Sequence, residues 1–160
     1  MRIFKLLPVV LMVLFCSQAF GQSIDAVWEQ AMVPVRPVIS PVTVDSATSA
    51  MLILDIEERT CNAARRPRCL ETVPRIAELA KKARAAGMAV VYSLTSKGTP
   101  ATILPPVKPE QGEEIVSSSV DKFYRTDLEK ILSQKGVKTV IVTGTAAHGA
   151  VLHTATAAGF

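Results

Sequence analysis

Val140–Ala155 reads VIVTGTAAHGAVLHTA. An apolar strand ends at Thr143-Gly144, a turn of small residues follows, and a helix is expected from about Gly149 to Ala158. In an open parallel α/β sheet such a turn lies at the carboxyl end of a strand, where ligand sites form. A second apolar run, Met51–Leu54, ends in Asp55. If the two strands share one parallel sheet, Asp55 and the Thr145–Ala150 turn meet at the same edge.

Between these strands the chain alternates. Ala50–Ile56 is a continuous apolar run, the pattern of a strand buried on both faces. Glu57–Leu70 reads as a polar loop. Thr72 can cap a helix with Pro74 in its first turn, with Val73, Ile76, Ala77, Ala80 and Ala83 on one face and Gly87 as the stop. Met88–Leu94 is another buried strand, so Ala50–Leu94 forms a βαβ unit with an expected right-handed crossover. Thr95–Gly112, punctuated by proline and glycine, reads as a long loop, and Glu113–Ser117 as a short strand. Thr126-Asp127-Leu128-Glu129 matches a capping box opening a helix to about Lys135, stopped by Gly136. Lys138–Thr143 is the third long strand. This alternation predicts a three-layer α/β/α fold around a mainly parallel sheet. The sequence stops at Phe160 where another strand is due, so a C-terminal strand and helix are expected to be missing, leaving an unpaired edge.

The N-terminus reads differently. Arg2 and Lys5 precede an apolar run, Leu6–Phe15, and Cys16–Gln22 is small and polar, with Ala19 and Gly21 placed for cleavage. This is the layout of a secretory signal peptide over residues 1–21. A spanning helix needs about 20 apolar residues, so the run is too short for a permanent membrane anchor. Residues 22–49, with Pro34, Pro37 and Pro41, read as an extended lead-in, and residues 50–160 as the domain. The expected location is periplasmic or secreted.

The whole chain carries 18 basic and 14 acidic residues, a net charge of +4. Loss of Arg2 and Lys5 leaves 16 against 14, or +2, so the pI of about 9.1 overstates the basicity of the processed chain. Aromatic residues are 5% of the sequence, and no basic stripe with interleaved aromatics is present. Nucleic-acid binding is therefore not expected. Cys61 and Cys69 would remain after processing, and an oxidising compartment favours a bridge between them. Closing a loop of that size stabilises by about 2–3 kcal/mol in the chain-entropy model. The alternative is a reactive thiolate with its pKa lowered by the neighbouring arginines.

Three segments, Leu52-Ile53-Leu54-Asp55, Phe123–Leu128 and Val140–Gly159, resemble the isochorismatase-like hydrolases, the superfamily that includes nicotinamidases and related cysteine amidohydrolases. The resemblance covers about Ala50–Phe160. It implies an aspartate ending the first strand, a lysine after a middle strand, and a cysteine six residues beyond the glycine of the turn, with backbone N–H groups at the helix start holding an oxyanion. Asp55 matches the aspartate. The cysteine position is Ala150, whose methyl group is no nucleophile. The lysine position is open. Counting back without gaps from Phe123 gives Ser117, and Lys122 needs a gap. The plainer reading of Lys122 is a solvated residue paired with Asp121 or Asp127. Ala147-His148 resembles the turn of the isochorismatase branch, whose enzymes cleave a vinyl ether by proton transfer. His148 would then orient substrate or relay a proton, or else merely cap the following helix.

The metal-binding members carry histidines soon after the aspartate, and Ile56–Thr60 has none. Neither metal nor cofactor is expected. The resemblance implies a hydrolase acting on a small-molecule amide or vinyl ether without a cysteine. The alternative is an inactive relative that binds a small ligand or acts as a scaffold. A homo-oligomer is among the expectations, and no membrane contact is expected after signal cleavage.

Overall fold

The computed structural model describes Ser23, Trp28–Gln30 and residues 32–36 and 38–160. The expected signal peptide and Cys16 lie outside the described residues. The chain forms two units, Met1–Pro41 and Val42–Phe160. In the first, Trp28–Gln30 makes a single 3-10 turn, and residues 32–36 and 38–41 have no regular structure.

The second unit is built on four parallel strands: β1 (Ser49–Leu54), β2 (Ala89–Leu94), β3 (Glu114–Ser117) and β4 (Thr139–Gly144). Their order across the sheet is β3-β2-β1-β4. β1 is central and buried along its whole length, as its unbroken apolar sequence requires. Side chains alternate between the faces. Met51 and Ile53 point into a cluster with Val73, Ile76 and Ala80 of helix α1 (Pro67–Ala85). Ala50, Leu52 and Leu54 enter a second cluster with Leu128 and Leu132 of helix α2 (Leu128–Gln134) and with Ala150. The sheet is therefore covered on both faces, and the fold is the expected three-layer α/β/α.

The pairing of β1 with β4 places Leu54 opposite Gly144. Gly144 has φ +124°, and a Cβ there would lie 2.1 Å from the Leu54 carbonyl oxygen. Only glycine permits this approach, which lets the following Thr145 N–H donate to the same carbonyl at 3.0 Å. The turn after β4 is thereby fastened to the end of β1. The Thr145–Ala146 peptide within it is cis.

Four local expectations are corrected. Helix α1 starts at Pro67, not Thr72, so Cys69 lies in its first turn rather than in a loop. Proline suits that first position because its missing N–H would have no partner there. The Thr72 hydroxyl bonds back to the Cys69 carbonyl at 2.7 Å instead of capping, and Pro74 sits inside the helix on its exposed side, where water can replace the lost bond. The capping box at Thr126 does not form: α2 is capped at Asp127 without a side-chain bond, and the Thr126 hydroxyl accepts the Leu128 N–H at 3.2 Å. The segment 95–112 is more structured than a plain loop. It has 3-10 turns at Pro100–Thr102 and Pro105–Val107, and Ile103 and Val107 are buried. The last helix, α3, spans Leu152–Ala158 and follows a wider π-turn, Ala147–Val151, because Gly149 leaves helical geometry.

A polar staple joins the layers at the opposite end from the strand-end turn. Arg84 of α1 makes a bidentate pair with Glu113, at 2.7 and 2.8 Å, and donates to the Tyr92 hydroxyl at 2.8 Å. Burial, only partly offset by the Arg84 charge, pushes the Tyr92 phenol up to about 12 from 10.0. The unfolded chain loses this proton near pH 10 and the folded chain holds it longer, so the folded state binds more protons between those values. Stability should therefore fall as pH rises from about 10 to 12. In Tyr92→Phe that component should be absent, and urea midpoints of the two proteins should converge as pH climbs through this window. Parallel pH profiles would show that Tyr92 is not held neutral.

Candidate active site

Asp55 follows the last residue of β1 and has φ +54°, a conformation aspartate tolerates better than most side chains. Its N–H donates to the Ser93 carbonyl at 3.1 Å, and its own carbonyl accepts the Thr60 hydroxyl. These two bonds hold the residue turned out of strand geometry. The carboxylate is nearly enclosed. Oδ1 accepts the Ser93 hydroxyl at 2.8 Å, and Oδ2 lies 2.9 Å from Lys122 Nζ.

Lys122 has no exposed surface, and the Asp55 side chain is 6% exposed. The Lys122 ammonium also donates to the carbonyls of Ser119 (2.6 Å) and Ser118 (3.2 Å), with a longer contact to Leu94 (3.5 Å). Its N–H donates to the Thr154 hydroxyl of α3 at 3.2 Å. A buried ammonium is tolerable only when paired and hydrogen-bonded, and here both conditions are met. The solvated pairing of Lys122 with Asp121 or Asp127 does not form. Asp121 instead accepts the Phe123 N–H at 2.9 Å. Ser117, the ungapped alternative, ends β3 and donates to the Thr95 carbonyl at 3.1 Å.

Above the pair opens a pocket of about 350 Å³. Asp55 and Ala150 line it together with Thr95–Lys97, Ser118–Val120, Arg59, Arg65, Arg66 and His148. Ala150 is buried and His148 is exposed at the rim. The Thr95 part of the wall is supported by Glu57, which is wholly buried and accepts the Thr95 hydroxyl at 2.5 Å. Gly98 packs so closely on Glu57 that a Cβ would fall 1.8 Å from its Oε2. Cys61 and Cys69 form a disulfide that closes the arginine-bearing segment between them. Among the described residues no three His, Cys, Asp or Glu side chains converge as a metal site would require.

The structure thus brings Asp55, Ala150 and His148 to one pocket, with Lys122 enclosed behind it against Asp55. Sequence reasoning missed Ser93 and Thr154, which hold Asp55 and Lys122. A signal for each existed: Ser93 is the polar residue inside the otherwise apolar end of β2, and Thr154 lies among the small residues of α3.

The family model of the isochorismatase domain matches residues 49–160. No curated protein sequence matches the chain. Among solved structures, an isochorismatase from Pseudomonas putida is similar with a TM-score of 0.66 and 21% identity, over 75% of this chain and 68% of that one. At that identity the likeness is one of fold. An N-carbamoylsarcosine amidase from Thermoplasma acidophilum gives 0.64 and 25%, over 69% and 75%. An isochorismatase-like hydrolase from Alkaliphilus metalliredigens gives 0.62 and 26%, over 70% and 73%.

The ion pair makes a stability test direct. Lys122→Met leaves the Asp55 carboxylate buried without its counter-charge, which should cost about 3–5 kcal/mol. Adding Asp55→Asn removes the stranded charge, so the double variant should be more stable than Lys122→Met alone. Urea unfolding of the three proteins measures this. A Lys122→Met variant within about 1 kcal/mol of the parent would mean the pair is hydrated and not enclosed.

Proposed function

Because the chain belongs to the isochorismatase family, we propose that it is a hydrolase of a small molecule, an amide or a vinyl ether, that works by proton transfer without a cysteine nucleophile. The observation that carries this reading is the enclosed Asp55–Lys122 pair at the base of a pocket formed by strand ends. With Ala150 in the nucleophile position, no covalent enzyme intermediate of the thiol type can form there.

For an amide, Asp55 accepts a proton from a water whose oxygen attacks the carbonyl carbon. The same proton passes to the leaving nitrogen as the carbon–nitrogen bond breaks. For a vinyl ether, Asp55 acts in its protonated form and gives that proton to the terminal carbon of the double bond. Water adds to the resulting oxocarbenium ion and returns a proton to Asp55, and the hemiketal then loses the alcohol to leave a ketone. Lys122 keeps a positive charge beside Asp55 through either sequence and stabilises negative charge developing nearby. His148, at the rim, orients substrate or relays the proton outward. Binding without turnover is the second reading, and the observation favouring it is Ala150 itself.

Purified protein, with folding verified, should hydrolyse a member of a panel of small amides and isochorismate. Asp55→Asn should lower that rate by about 10²–10⁴-fold. His148→Ala should lower it less. A folded parent that binds panel members saturably and turns over none would replace the hydrolase with the binding protein.

Export to an oxidising compartment is part of the proposal, supported by the N-terminal sequence layout and the Cys61–Cys69 bond. Protein recovered from the producing cell's envelope or medium should begin near Gln22, and its intact mass should rise by two hydrogens on reduction. Free thiols at both positions, or a retained Met1, would remove the export reading.

A further inference from the structure

The pocket over Asp55 is not the largest recess at this end of the sheet. A groove of about 670 Å³ runs beside it, between the start of α1 and the Gly144–His148 turn. Arg65, Arg66, Arg68 and Arg75 line it, against a single carboxylate, Glu71. None of these arginines forms an ion pair among the described residues, where the ion pairs are those of Lys82, Arg84 and Lys122. Guanidinium groups stay charged at any working pH, so the groove carries a standing excess of positive charge. The two recesses share a wall: Arg65, Arg66, Ala146 and His148 face both.

This wall is held in place. The disulfide ties Cys61 to Cys69 on either side of the arginines. The Arg65 N–H donates to the Asn62 side chain at 2.9 Å, and the Arg66 N–H to the Asn62 carbonyl at 2.8 Å. The Arg66 guanidinium donates to the Thr60 carbonyl at 3.2 Å, so it is positioned before any ligand arrives. Like charges crowded on a short, stapled segment repel one another, which disfavours the folded chain. An anion reverses that repulsion, and arginine forks match carboxylate and phosphoryl oxygens two at a time. A wall already held in position also loses less entropy on binding.

We propose that this groove is an anion-binding site, and that the ligand it takes is a small molecule bearing two or more carboxylate or phosphoryl groups. Its position beside the Asp55 pocket makes the anion the non-reacting part of the substrate. That last assignment rests on the hydrolase reading above, whereas the anion site itself does not.

Isothermal titration calorimetry of the full folded protein tests the site, with citrate as the carboxylate probe, pyrophosphate as the phosphoryl probe and glycerol as the uncharged control. At low salt at least one of the two anions should bind saturably and glycerol should not. Affinity should fall steeply with added salt, as screening requires. Arg68→Gln with Arg75→Gln should weaken binding about tenfold or more, since both side chains are exposed and, among the described residues, have no hydrogen-bond or ion-pair partner. Lys81→Gln with Lys130→Gln removes the same charge outside the groove and should change affinity less than twofold. Which probe binds identifies the chemistry. Absence of saturable binding by either anion overturns the site, and so does equal weakening by the two double variants. Turnover of neutral amides with no anion binding leaves the hydrolase standing and this site refuted. Anion binding by a protein without turnover does the reverse.

Discussion

A carboxylate and an ammonium are enclosed together at the carboxyl edge of the sheet, and the surrounding structure is arranged to keep them there. Removing two charges from water costs several kcal/mol each, and proximity alone does not recover it. The remainder comes from Ser93 on one carboxylate oxygen and from backbone carbonyls around the ammonium. Those partners come from β2 and from the segment after β3, while the Lys122 backbone is held by Thr154 of α3. The pair therefore couples elements that the sheet alone does not join. It is weak evidence for stability and stronger evidence for a site, because a well-packed apolar pair of similar size would hold the fold as well or better.

Leu54 is the second fixed point. Its carbonyl receives the Thr145 N–H, and its backbone is approached by Gly144 as no other residue would allow. Asp55 and the Ala147–Val151 turn are thus set from adjacent positions on two neighbouring strands. Their relative placement does not depend on any loop. Sites built on sheet ends in this way tolerate replacement of a single functional side chain, because the scaffold does not use that side chain to hold its shape.

The strands were legible because continuous apolar runs have few other uses in a chain of this composition. The α/β layering followed from their alternation with helical segments. Helix starts were less legible. Thr72 has the chemistry of a cap, yet the helix had already begun at Pro67, and its hydroxyl bonds back to the turn before it. Thr126 failed similarly, its hydroxyl being engaged with the Lys122 carbonyl as well as the Leu128 N–H. Asp55 could be read from its place at a strand end. The partner of Lys122 could not, because local charge pairing points to Asp121 or Asp127. Its charge partner is Asp55, on a different part of the sheet edge, and its backbone is held by Thr154, 32 residues further along. Contacts of that range leave no periodic trace in sequence.

The disulfide between Cys61 and Cys69 has a consequence for how molecules reach the pocket. Thr60, next to the first cysteine, is bonded to the Asp55 carbonyl, and the second cysteine is part of α1. The rim between them is thus fixed at one end to the Asp55 backbone and at the other to a nineteen-residue helix. Such a rim has no hinge of its own. On this side of the pocket the parts free to move are the exposed side chains of Arg59 and Arg65, which change rotamer on the picosecond-to-nanosecond scale, and not a hinged lid. That side of the opening is a fixed frame lined by positive charge.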